Sequence, residues 1–109
     1  MSVDFYVKLF ALSPMEQRYL EFLAEEDEDL QKTIADSVTV WRNDLRKRYP
    51  EPLACRRVFI EGLLSRTAAK FRSIDEMRAG AAFVLFLSDE VERRVQQMDN
   101  EEKREINWN

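Results

Sequence analysis

Two glycines and three prolines leave this 109-residue chain few places to reverse direction. Tight β-turns draw on Gly, Pro, Asn and Asp for their special backbone angles, and an all-β chain needs many of them. Helices joined by a handful of turns are what so small a supply permits. Apolar residues at 45% and charged residues at 35% supply the buried and solvated faces that such helices require, and they weigh against global disorder. With roughly 100–200 residues per domain, there is room for one domain.

Local signals divide the chain. Ser13-Pro14-Met15-Glu16 places a capping serine, a proline at the first helical position and a glutamate three residues after the cap. Ser73-Ile74-Asp75-Glu76 repeats that spacing, with carboxylates suited to the positive end of a helix dipole. Tyr49-Pro50-Glu51-Pro52 is a firm boundary, because Pro50 pushes Tyr49 out of helical geometry and Pro52 has no amide to donate. Leu30, Ile34, Val38, Trp41 and Leu45 recur at helical spacing, and the acidic run Glu25 to Asp29 interrupts the stripe before it reaches Leu23 and Leu20. Further on, Ile60, Leu64, Thr67 and Phe71 share a helix face, widened by Val58, Phe59 and Leu63.

The stretch Phe83 to Leu87 is apolar right round the helical cylinder and must be buried on all sides. Around it Met77, Ala81, Val84, Val91, Val95 and Met98 form a heptad-like seam with Ser88. A chain of this length has limited mass to cover such a helix, so the seam is a candidate self-association surface for a homodimer. Gly62, Ala68, Ala69 and the run Ala79 to Ala82 are expected where the two long helices cross closely, or where a second subunit approaches. The expected architecture is all-α: a single compact bundle of four to five helices near 3–11, 14–25, 28–48, 53–71 and 74–98. Residues 1–98 form that domain and 99–109 a polar, flexible tail; one long bent helix is the alternative over 14–48.

Chemistry is constrained mainly by what is missing. Without histidine there is no imidazole base, no Ser-His or Cys-His pair and no His metal ligand. A single cysteine excludes intramolecular disulfides and Cys-cluster metal sites. The run Glu25 to Asp29 lacks the alternating ligands and central glycine of a calcium loop, and Gly62 and Gly80 fall inside helices instead of a phosphate-binding loop. Cys55 sits near Arg56 and Arg57 at a helix start but has no base beside it, and it reads as a small buried hydrophobe. No catalytic, metal or cofactor site is therefore expected, and the chain is read as a non-enzyme. An enzyme built from carboxylates and arginines would need a deep polar cleft.

Charge is the most informative feature. Residues 1–36 carry −6, residues 37–72 carry +6 and residues 73–109 carry −4. Arg42, Arg46, Lys47, Arg48, Arg56 and Arg57 gather the positive charge around the Pro50/Pro52 corner. Three uses of that corner are open. The charges pair across the bundle, with Asp44–Arg48, Asp89–Arg93 and Glu90–Arg94 already at i,i+4. They hold an acidic protein surface, or they contact phosphates. Trp108, in the polar tail, either folds back or anchors a partner.

The functional expectation is a non-enzymatic protein-binding module (a small adaptor, regulatory subunit or inhibitor) that offers this corner and exposed apolar helix surface to an acidic partner. The alternative is a nucleic-acid-associated protein using Arg42 to Arg57, which the net charge of −4 and a pI near 5.0 disfavour. The longest apolar run, nine residues, is too short for a bilayer. Met1 to Leu12 lacks the basic start and apolar run of an export signal, so a cytoplasmic location is expected.

Overall fold

Side chains that accept a hydrogen bond from a free amide decide where four of the five helices start. The computed structural model describes residues 3–106, with side chains for 3–104. After a short helix α1 (Asp4–Leu9), Ala11 takes a left-handed φ of 49°, and the Arg78 guanidinium braces this turn on the carbonyls of Phe10 (2.5 Å) and Ala11 (3.3 Å). The expected capping box opens α2 (Pro14–Leu23): the Ser13 hydroxyl accepts from the Glu16 amide, and the Glu16 carboxylate accepts from the Ser13 amide at 2.9 Å. That amide, with Arg78 at 3.3 Å, holds the Glu16 carboxyl below its ordinary value.

Asp27 caps α3 (Glu28–Val40), so the acidic run separates two helices and does not bend one. The helix runs on through a π-helical turn, Trp41–Leu45, in which the Arg46 amide reaches back five residues to the Trp41 carbonyl, and then through a last turn, Arg46–Arg48. Tyr49 and Pro50 break it, and Glu51 caps α4 (Pro52–Ala68) with its carboxylate on the amides of Leu53 and Ala54. At α5 (Ile74–Ile106) only half of the expected box forms: Ser73 accepts from the Glu76 amide, but the Glu76 carboxylate turns to the Arg72 amide.

The result is an all-α bundle, 53 Å long and 25 Å across, with no strand among the described residues. α5 is its axis. On one side Val84, Leu87, Val91 and Val95 meet Leu30, Ile34, Val38 and Trp41 of α3 and Cys55, Phe59 and Leu63 of α4. On the other side Ala79, Ala82 and Phe86 meet Tyr6, Leu20 and Ala24. Phe83 touches both clusters, as a helix apolar all round must.

Three expectations are corrected. Residues 99–106 continue α5 instead of forming a tail, because Asp99 and Glu102, one turn apart, are both held by Arg42 of α3. Phe71 lies past the end of α4; its ring seats over Gly80 and meets Tyr19 edge-on at 6.3 Å. Gly62 and Gly80 therefore do not mark a shared crossing: Gly80 makes room for Phe71, whereas a Cβ at Gly62 would meet only the tip of Arg66 at 3.9 Å.

The two glycines should respond oppositely to alanine. At Gly80 a Cβ would fall 2.2 Å from the Phe71 ring, so Gly80→Ala should cost about 1–3 kcal/mol through overpacking. Gly62→Ala meets no obstacle and should gain about 0.5–1 kcal/mol from helix entropy. Thermal melts of the two variants should shift in opposite directions.

Candidate functional site

The corner forms where α3 ends, the Tyr49–Pro52 link turns and α4 begins. Arg42, Arg46, Lys47 and Arg48 lie on the last turns of α3, and Arg56 and Arg57 on the first turns of α4, so the six predicted cations do converge. They do not share one fate. Arg46 grips Asp99 with two bonds, 2.7 and 3.2 Å, and Arg42 spans Asp99 (3.6 Å) and Glu102. Arg56 binds Asp89 and, at 2.9 Å, Glu92. These three are neutralised by acids of α5, in partly buried pairs.

Arg48 and Arg57 make only exposed i,i+4 pairs, with Asp44 at 3.1 Å and Glu61 at 3.0 Å. Lys47 has no carboxylate within 4 Å among the described residues. Of the three local pairs anticipated, only Asp44–Arg48 forms. Asp89 is taken by Arg56 and by the Tyr6 hydroxyl, Arg93 reaches Glu90 at 2.5 Å, and Arg94 donates to Gln31 at 2.7 Å. Spacing alone could not favour the long-range partners Arg56, Tyr6 and Gln31 over the local ones.

Two grooves meet at this corner. One, of about 230 Å³, is floored by Trp41, Cys55 and Val95, with Tyr49 and Pro50 on one wall and the Arg46–Asp99 pair on the other. The second, wider and about 450 Å³, is lined by Leu53, Ala54, Val58, Arg57 and the carboxylates of Glu51 and Glu61, and shares Tyr49 with the first. Tyr49 therefore stands between them, and Leu53 (75% exposed) lines the second. Reasoning from charge did not select these two residues, although their position beside Pro50 and Pro52 was the available signal.

Burial decides the chemistry of two titratable groups, Cys55 under the corner and Tyr6 on the other side of α5. It pushes the Cys55 thiol up, against a smaller opposing effect of Arg46, so the positive surroundings do not activate it. Burial and its hydrogen bond to Asp89 also push the Tyr6 hydroxyl far above its ordinary value of 10.0.

The predicted self-association seam is mostly interior. Val84, Val91 and Val95 are buried against α3 and α4 of the same chain, Ala81 is half-buried, and only Met77 and Met98 at its ends are exposed. Trp108 lies outside the described residues. Among the described residues no helix is long and apolar enough to cross a membrane.

Two outcomes follow from the buried groups. Tyr6→Phe removes a hydrogen bond to a charged acceptor and should cost about 1.5–3 kcal/mol at neutral pH. Because the raised folded value keeps Tyr6 protonated while the unfolded chain ionises near pH 10, its contribution is present below pH 10 and lost above it. The alkaline fall in melting temperature should accordingly be smaller in Tyr6→Phe than in the wild type. Cys55 should react with a thiol reagent slowly in the native protein and rapidly in denaturant. No family model, curated protein or solved structure matches this chain.

Proposed function

We propose that this protein is a non-enzymatic protein-binding module, an adaptor, regulatory subunit or inhibitor, that docks an acidic partner on the corner between α3 and α4. The observation that carries this reading is exposed Leu53 in the second groove, which Tyr49 joins to the first, with Arg57 on its lining and the exposed Lys47 and Arg48 on the preceding helical turn. An apolar anchor point ringed by exchangeable charge is the usual anatomy of a protein-binding hot spot. The exposed pairs Arg48–Asp44 and Arg57–Glu61 are each worth about 0–1 kcal/mol, so carboxylates of a partner compete for those guanidiniums at little cost. Arg42, Arg46 and Arg56 serve instead to hold the corner rigid through α5, which leaves the apolar surface pre-organised. The cytoplasm is the proposed location, a setting that suits a lone buried thiol.

Tagged protein should recover from source extract a protein that survives nuclease treatment, is released more readily at high salt, and is lost with either Leu53→Asp or Lys47→Glu. Both substituted side chains are exposed, so both variants should melt with the wild type. Capture that ends with nuclease points to nucleic acid and overturns the reading. Capture that ignores both substitutions overturns it too.

A further inference from the structure

Trp41 is the first residue of the π-helical turn, and it floors the smaller groove at the corner. Turns of this kind are frequent at functional sites. The side chain is only 6% exposed, and its ring packs against Phe59 at 5.0 Å. Its indole N–H has no acceptor among the described residues, yet it is not among the side-chain atoms sealed from solvent without a partner. It therefore opens on the groove as a fixed donor. The charged groups on the same lining are already paired: Arg46 with Asp99 at 2.7 Å, and Glu92 with Arg56 at 2.9 Å. Pro50 and Pro52 on the wall have no amide to donate. The groove is matched by an uncharged occupant that brings a free acceptor.

Size and hydrogen bonding narrow that occupant. At about 230 Å³ the groove falls below the roughly 300–1,000 Å³ of small-molecule sites, so it takes part of a peptide and not a cofactor. A docked helix keeps its carbonyls on its own amides and leaves the indole N–H unpaired. Strand addition needs a sheet edge, and the described residues contain no strand. A polyproline II segment has no internal hydrogen bonds, so its carbonyls are free, and its prolines bring no N–H to strand beside Pro50 and Pro52. Length agrees as well. Glu92 to Asp99, the part of α5 along the groove, covers about 10.5 Å, and one polyproline turn of three residues about 9.3 Å.

We infer that the smaller groove binds a proline-rich segment of the partner in polyproline II conformation, with a prolyl ring against Tyr49 and the Trp41 Nε1–H donating to a carbonyl of that segment. Acidic residues flanking the prolines meet Lys47 and Arg48, which belong to the same helical turn as Arg46. Charge is thus matched outside the groove and hydrogen bonding inside it. The inference rests on the protein-binding reading of the corner and names the part of the partner that enters it.

Titration of the isotope-labelled full chain with an uncharged, end-blocked proline hexamer tests it by NMR. The Trp41 indole N–H has its own signal, told from that of Trp108 by its loss in Trp41→Phe. The expected result is a saturable downfield shift of that signal, with a Kd below about 1 mM that salt leaves unchanged. A serine hexamer should not produce it. Followed on the exposed Gln96 side-chain amide, Trp41→Phe should weaken binding about threefold to tenfold, as should Tyr49→Ala, with circular dichroism showing both variants folded. No shift at peptide concentrations on the order of 5 mM overturns the inference. A shift that the serine peptide reproduces, or binding that leaves the Trp41 signal in place, overturns it equally. Capture from extract that survives both Trp41→Phe and competition by the proline hexamer overturns it and leaves the protein-binding reading standing. An extract that yields no partner overturns that reading alone, since the titration uses none.

Discussion

A helix that is apolar on every side through its middle has one stable place, the centre of the molecule. Phe83 to Leu87 imposes that constraint, and the other elements arrange themselves around it. α3 and α4 cover Val84, Leu87 and Val91, while α1 and α2 cover Ala79, Ala82 and Phe86. Each large side chain so buried contributes about 1.5–3 kcal/mol. The two clusters share one helix and are bridged by Phe83, so neither survives without α5. The arrangement makes a chain of 109 residues cooperative although its hydrophobic core lies in two parts.

The second organising fact is the redistribution of charge. In sequence the chain is an acidic third, a basic third and another acidic third; in space α5 carries its acids to the corner and cancels three of the cations there. Tyr6 and Arg56 converge on Asp89, which ties α1 and α4 to the same helix. Of the cations left without a carboxylate among the described residues, Lys47 stays at the corner, while Arg66, Lys70 and Arg72 stand at the opposite end of α4. A basic segment and a basic surface are thus different things in this protein.

Most of the fold was legible because its signals are local. The Ser13 box, the Pro50/Pro52 break and the stripe Leu30–Ile34–Val38–Trp41 each depend on residues within a few positions, and the structure follows them. The site was less legible, because its outcome depends on pairs far apart in sequence. Asp99 and Glu102 read as tail residues until Arg42, nearly 60 residues earlier, supplies the reason for the helix to continue. The seam of α5 was correctly read as apolar and helical, but periodicity says that a face is buried, not by which chain, and here α3 and α4 reach most of it first. Gly80 had the same ambiguity: its need for space was visible, while the aromatic ring that fills the space came from a loop.

The π-helical turn at Trp41–Leu45 separates the aim of the corner from the construction of the core. Such a turn is an α turn holding one additional residue. Upstream, the phase of α3 is set by the side chains it sinks against α5; downstream, Arg46, Arg48 and Tyr49 inherit a phase offset by about 100°. Deleting one residue between Trp41 and Leu45 would therefore restore an ordinary α turn with Arg46 still facing Asp99 and with Leu30, Ile34 and Val38 untouched. The molecule contains a point where a change of length, not of composition, is absorbed without redirecting either end.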